Sequence, residues 1–157
     1  MVDPKTVAVT AEIHAYLVAH GSPPDAVQRS LIEATNALGP VSGMQIAPEQ
    51  GAFMTLLTRL VDARFAVEVG TFTGYSSICV ARGLAAGGRL LCLDVSEEWT
   101  AIARDHWRQA GLEDRIELRL GPAADTLRSL PADPPIDIAF IDADKGGYRT
   151  YYDEIVE

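Results

Sequence analysis

From Phe65 to Asp142 the chain alternates short apolar runs with helical stretches, and no other feature restricts its fold as much. The runs are "FAVEVG", "RLLCLDV", "RIELRLG" and "IDIAFID". Between them lie a helix from about Tyr75 to Ala86, a helix through "EEWTAIARDHWRQAG", and a short helix near Ala123 to Leu130 followed by a proline-rich loop. Strands buried on both faces read as near-continuous apolar runs, and strand–helix repetition makes them parallel with right-handed crossovers. The expected architecture is therefore an α/β parallel sheet, and no internal repeat interrupts it.

The first third reads as helices. Apolar residues recur at helical spacing at Val9, Ile13, Tyr16 and Leu17, then at Val27, Leu31, Ala34 and Leu38, with Gly21 and Gly39 as stops. A third helix fits "PEQGAFMTLLTRLVDA", with Phe53, Leu56, Leu57, Leu60 and Val61 as its core face. At 157 residues the chain is one domain, able to bury roughly two thirds of its unfolded surface. Cys79 and Cys92 sit in apolar segments without metal-ligand spacing, which is the usage of reduced, packed thiols in a cytoplasmic protein. Neither a leader pattern nor a run of about 20 apolar residues is present, so no membrane partner is expected. A net charge of −9 without a basic block disfavours nucleic acid and favours a small-molecule partner.

In open parallel sheets ligands bind beyond the carboxyl ends of the strands. Three strand ends carry candidate chemistry. In "VEVGTFTGYSS", Gly70 and Gly74 permit a tight turn and a close backbone approach, and Ser76 with the free N–H groups of a helix start favours an anion such as a carboxylate. The same glycines would serve a turn that binds nothing. In "LLCLDVSEE", Asp94 closes a strand a little over twenty residues after Gly70, where an acid accepts from ribose hydroxyls. Its removal is expected to weaken ligand binding and leave the fold intact. Glu97 and Glu98 fit the favourable first turn of a helix. A pyrophosphate loop would read G-x-G-x-x-G, whereas this one reads E-V-G-T-F-T-G, and Glu68 suits a ligand with an ammonium group, such as S-adenosylmethionine. The third strand end, "FIDADKGGY", brings Asp142, Asp144 and Lys145 together.

The stretches "MQIAPEQGAFM", "VEVGTFTGYSS", "LCLDVS", "LRLGPA" and "FIDADKGGY" resemble, in order and spacing, the cation-dependent O-methyltransferases, the group containing the caffeoyl-CoA and catechol enzymes. The resemblance runs from Met44 to the C-terminus. It implies a Rossmann-like methyltransferase sheet of strand order 3-2-1-4, with residues 1–47 a helical cap over a 48–157 cofactor-binding core. By position it implies that Met44, Glu68, Gly70 and Thr71 line the methionine end of S-adenosylmethionine and that Ser76 reaches its carboxylate. Asp94 would hold the ribose, Ala123 would lie beside the adenine, and Asp144 near the cofactor. Asp142 would ligate a divalent cation, Mg²⁺ foremost, and Lys145 would be the general base. Ile46 departs from the threonine or serine of several relatives.

The chemistry is coherent. A phenol with pKa near 10 is mostly protonated at neutral pH; a cation chelated by two adjacent hydroxyls lowers that value, and a lysine whose own pKa is depressed can take the proton. The implied function is O-methylation of a small catechol or vicinal-diol acceptor. Methylation of a hydroxylated tRNA uridine, a noncatalytic S-adenosylmethionine-binding or dimerising module, and a nicotinamide-dependent oxidoreductase are the alternatives. His14, His20 and His106 read as surface or packing residues, Trp99 as core or adenine border, and Tyr148, Tyr151 and Tyr152 as the start of a packed helix. In the resembled family a further strand follows "DADK" and supplies two more metal ligands. The expectation is thus a truncated or partly represented enzyme, or one that covers the apolar edge of "IDIAF" by association as a homodimer, and that binds cofactor better than it catalyses.

Overall fold

The computed structural model of the chain describes residues 8–156; the beginning of the segment searched for a leader lies outside them. Four strands, β1 (Phe65–Val69), β2 (Arg89–Asp94), β3 (Ile116–Leu120) and β4 (Ile138–Ile141), form one parallel sheet of order β3-β2-β1-β4. This is the expected α/β topology. The helices are α1 (Ala11–His20), α2 (Ala26–Asn36), α3 (Pro48–Leu60), α4 (Tyr75–Gly83), α5 (Glu97–Gln109), α6 (Ala123–Arg128) and α7 (Tyr148–Val156). A 3-10 segment, Gly39–Met44, links α2 to α3. Among the described residues no helix is long and apolar enough to cross a membrane.

Every residue of β1 is buried, because helices cover both faces of the sheet. Side chains alternate along a strand, so Phe65, Val67 and Val69 join Leu91, Leu93, Ala123 and Leu127 in one core layer, with Tyr151 and Ile155 of α7 against it. Ala66 joins the opposite layer with Leu90, Cys92, Leu31, Ile78, Ala103 and Trp107, from α2, α4 and α5. Asp137 ties the start of β4 to the start of β1, its Oδ2 accepting from the N–H groups of Arg64 and Phe65 at 2.7 and 2.9 Å. The helix α2 opens on a capping box between Asp25 and Gln28, whose other contacts reach Arg82 and Cys79 of α4.

Two expectations are corrected. The stripe Phe53, Leu56, Leu60 and Val61 on α3 does not face the core: Phe53 is 57 % and Leu60 71 % exposed. The buried face is Gly51, Met54 and Thr58, because α4 lies closer than large side chains allow. A Cβ on Gly51 would stand 2.6 Å from Cys79 Sγ, and one on Gly83 2.6 Å from Thr58 Cβ. The hydroxyl of Thr55 bonds across the contact to the carbonyl of Cys79 at 2.8 Å. The helix α4 also stops at Gly83 rather than Ala86, since Leu84 turns to extended backbone and Ala85 N–H bonds Ala63 O at 2.8 Å.

This packing predicts that Gly83→Ala lowers unfolding stability by about 1–3 kcal/mol through overpacking, while Leu60→Ala changes it by no more than about 0.5 kcal/mol. Urea denaturation of the two variants checks the order; a reversed order would return the apolar stripe to the core.

Candidate functional site

The sheet order reverses between β1 and β4, and a cavity of about 800 Å³ opens at that point. All the residues named from the sequence line it except Glu68. Gly70, with φ +93°, passes so close to β4 that a Cβ there would lie 2.2 Å from the carbonyl oxygen of Asp142. Gly74, with φ +83°, starts α4 under Trp107, and no side chain caps that helix, so its first N–H groups are left to meet an anion beside Ser76.

Asp94 has a second task that its position in the sequence did not disclose. Its Oδ2 accepts from the N–H groups of Thr71 and Phe72, both at 2.8 Å, and its Oδ1 from Ser96 N–H at 2.8 Å. The carboxylate therefore fastens the glycine loop to the end of β2 and keeps part of Oδ1 for a further donor. The expectation that its removal leaves the fold intact did not take in this hold on the loop.

Glu68 lies beneath the loop, fully buried on the α4 face of β1. Its Oε2 takes bonds from Ser77 Oγ and, at 3.3 Å, from Cys92 Sγ, while Oε1 has no partner among the described residues. Burial pushes its pKa up to about 7, against partial relief from the hydroxyls of Ser76 and Ser77. Thr71 Oγ1 and Gln45 Oε1, on residues that line the cavity, are likewise buried without partners.

The acidic strand end is organised by α7. Asp144 Oδ1 accepts from Tyr151 Oη at 2.6 Å and Oδ2 from Gly147 N–H at 2.8 Å, which hold its carboxyl below the usual range. Lys145 bonds Tyr148 Oη and lies 3.4 Å from Asp142 Oδ1, with its Nζ 4.4 Å from the centroid of the Tyr148 ring. The Tyr148 contact and then Asp142 raise the lysine pKa. Burial, one of the two conditions for a depressed lysine pKa, acts little on this exposed side chain, and in this arrangement its partners favour the protonated form. Nor do the residues present make a cation site. Among the described residues no three His, Cys, Asp or Glu side chains converge; Asp142 is already paired with the Lys145 ammonium, and Asp144 with Tyr151 and the Gly147 N–H. No step is assigned to a divalent cation.

The cavity also takes in Phe72, Trp99, Pro122 and Tyr151, which the sequence reading did not name as ligand residues, apart from Trp99 as a possible border. The tyrosine partners had a weak signal, the i,i+3 spacing of Lys145 and Tyr148. The histidines sit as expected: His106 is buried with Nδ1 2.8 Å from Ile102 O, and His14 pairs with Glu49 at 3.1 Å.

A parallel sheet with a glycine loop at its switch point and an acid closing β2 is the arrangement in which open α/β folds bind nucleosides. A family model for O-methyltransferases matches residues 20–157, and the chain belongs to that family. It is 36 % identical over 141 residues to the probable caffeoyl-CoA O-methyltransferase 2 of Dictyostelium discoideum, covering 88 % of this chain and 61 % of that one. It is 38 % identical over 127 residues to the catechol O-methyltransferase of Niastella koreensis, covering 78 % and 58 %. The O-methyltransferase of Bacillus cereus, solved in complex with S-adenosylhomocysteine, superposes with a TM-score of 0.85 at 35 % identity over 92 % of this chain and 66 % of that one. The chain thus spans about three fifths of the length of the curated relatives it matches.

The raised Glu68 carboxyl makes a signed prediction. Between its ordinary value of 4.5 and about 7 the folded chain holds a proton that the unfolded chain has released, so Glu68's contribution is complete below 4.5 and is lost as pH rises to 7. Glu68→Gln should therefore gain stability relative to the parent chain between pH 5 and 8, by on the order of 3 kcal/mol. Denaturant melts at both pH values check this, and a difference that does not change with pH would mean that the carboxyl is ionised throughout.

Proposed function

We propose that the chain binds S-adenosylmethionine and acts in O-methylation of a small hydroxylated acceptor of catechol or vicinal-diol type. The observation that carries the reading is the cavity at the β1–β4 switch point, where an uncapped helix start and the Asp94 carboxylate face the same space. The residues fit this cofactor. Asp94 Oδ1 retains capacity for a ribose hydroxyl, the α4 start with Ser76 suits a carboxylate, and the unpartnered Gln45 and Thr71 oxygens, on residues that line the cavity, suit an ammonium. The relative solved with S-adenosylhomocysteine supports the same reading.

S-adenosylmethionine supplies, when bound, a methyl group made electrophilic by its sulfonium. The protein's part is to hold that end of the cofactor still, exclude water with Met44, Ile46 and Phe72, and present an acceptor hydroxyl near Asp142 and Lys145. Asp142, once an acceptor draws it from Lys145, can accept a hydrogen bond from that hydroxyl and take its proton as the methyl group is transferred. Lys145, holding its proton, stands ready to stabilise an oxyanion there. A second reading, cofactor binding without turnover, is favoured by the pairing of Lys145 with Tyr148 and Asp142, which leaves no group in this arrangement poised to take the acceptor's proton.

Titration calorimetry with S-adenosylhomocysteine, S-adenosylmethionine and NAD tests the reading: the first two should bind and NAD should not. Asp94→Asn should weaken S-adenosylhomocysteine at least about tenfold and also lower the melting temperature, because loop and ligand share the carboxylate. Binding of NAD alone, or an Asp94→Asn variant with parental affinity, would sink the assignment.

A further inference from the structure

The end of α2 is tied to the glycine loop by a pair of buried hydroxyls. The inward face of α2 is Gln28, Leu31 and Thr35, so polar side chains stand where an apolar stripe would be expected. Thr35 and Thr73 are both wholly buried, with their Oγ1 atoms 2.8 Å apart. The direction of that bond follows from the proton count. A hydroxyl carries one proton, and that of Thr35 goes to the carbonyl of Leu31 one turn back, at 2.8 Å. Thr73 is therefore the donor, and its hydroxyl is spent on α2 although the residue lines the cavity.

Thr35 stands just before one wall of the cavity and bonds to another. One residue later α2 ends, and the 3-10 segment after it brings Gly43 and Met44, with Gln45 and Ile46, into the lining. Thr73 lies between Phe72, whose N–H is held by Asp94, and Gly74, whose carbonyl accepts from Trp107 Nε1 at 3.3 Å. Thus β2 and α5 hold the loop through its backbone, and α2 holds it through a side chain. Hydroxyl oxygens sharing a proton settle here at 2.8 Å, whereas carbon atoms in contact stand roughly 3.5–4.0 Å apart. A pair of valines, with the same branched shape, would push helix and loop about 1 Å apart. Groups that hold a ligand must stay within about 0.5 Å of their productive places.

We propose that Thr35 is a positioning residue for the cofactor cavity: its hydroxyl, by accepting from Thr73, sets the spacing between the glycine loop and the wall formed by Gly43, Met44, Gln45 and Ile46. The inference rests on the cofactor reading above and extends it to a helix that contributes no residue to the lining. Through this bond α2 acts on cofactor affinity from outside the site, because both walls stand at their final spacing before a ligand arrives.

The variants Thr35→Val, Thr73→Val, the two together and Thr35→Ser separate spacing from stability, with Thr58→Val as the control. Thr58 is equally buried and its hydroxyl likewise bonds the carbonyl one turn back, Met54 O at 2.8 Å, but it packs on Gly83 and lies outside the lining. Melting temperatures are measured without ligand, and affinities for S-adenosylhomocysteine by titration calorimetry. Thr35→Val strands the Thr73 hydroxyl and should melt lowest, whereas the double variant strands nothing and should regain most of that loss. Affinity should not return with it. Both single valine variants and the double variant should bind at least about fivefold more weakly than the parent, and Thr35→Ser within about twofold of it. Thr58→Val should keep parental affinity whatever its melting temperature. A smaller loss in the double variant overturns the proposal, and this variant carries the test if Thr35→Val does not fold. So does a loss in Thr58→Val equal to that in the double variant, which would make the effect one of stability. So do single losses that multiply in the double variant, which would give the two hydroxyls separate tasks. A parent chain that does not bind S-adenosylhomocysteine overturns the cofactor reading itself, and with it the role given to Thr35, while the melting order still reports on the hydroxyl pair.

Discussion

The peptide at Gly70 crosses the end of β4 at a distance that admits no side chain, and the cavity is a consequence of that crossing. With β1 and β4 this close, the glycine loop must rise out of the sheet at the point where strand order reverses, and it needs something to hold it there. Asp94, one strand away, supplies two acceptor positions to the loop and a third to its own following turn. A charged acceptor shared among backbone N–H groups is stronger than neutral bonds of the same geometry. The loop is therefore stiff where it faces the cavity.

The stiffness is set against local costs. Glu68 is sealed under the loop with an oxygen unpartnered, and Phe72 takes a left-handed backbone above it. Neither improves the isolated fold. Real proteins concentrate such departures from local preference at functional sites, and here both fall on the segment between β1 and α4 that also carries the glycines. The surrounding layers bear the cost: Leu90, Leu91, Leu93, Val67 and Val69 are almost wholly buried, and α2 and α5 close over α4 from the same side.

What the sequence discloses follows from the range of the interactions. The strands, their parallel sense and the cavity loops were legible, because apolar runs and glycine positions are local signals that burial on both faces enforces; the strand order came from the resemblance. The outward face of α3 was not. Phe53, Leu56 and Leu60 have the periodicity of a core stripe, but the contact with α4 is decided by how closely two backbones approach, through Gly51, Gly83 and the threonine hydroxyls. The residue types at Asp94 and Lys145 were legible and their partners were not. Whether a carboxylate spends itself on a loop, or a lysine on Tyr148, depends on contacts that no spacing rule encodes with certainty.

The two sides of the cavity consequently differ in kind. Toward β1 and β2 the walls are buried, bonded to backbone and fixed by close packing, which is the condition for holding a ligand in one orientation. Toward β4 and α7 the groups are exposed side chains bonded to one another: Lys145 to Tyr148 and Asp142, Asp144 to Tyr151. Surface pairs of that sort contribute little to stability and exchange partners readily. On the proposed cofactor reading, a site so divided would hold the nucleoside end in a prepared frame and leave the acceptor end to be arranged by whatever binds there. On that reading affinity for the cofactor and competence for methyl transfer would be separate properties of this fold, the first set by Asp94 and the glycine loop, the second by whether an acceptor can draw Asp142 and Lys145 out of the pairs they now form.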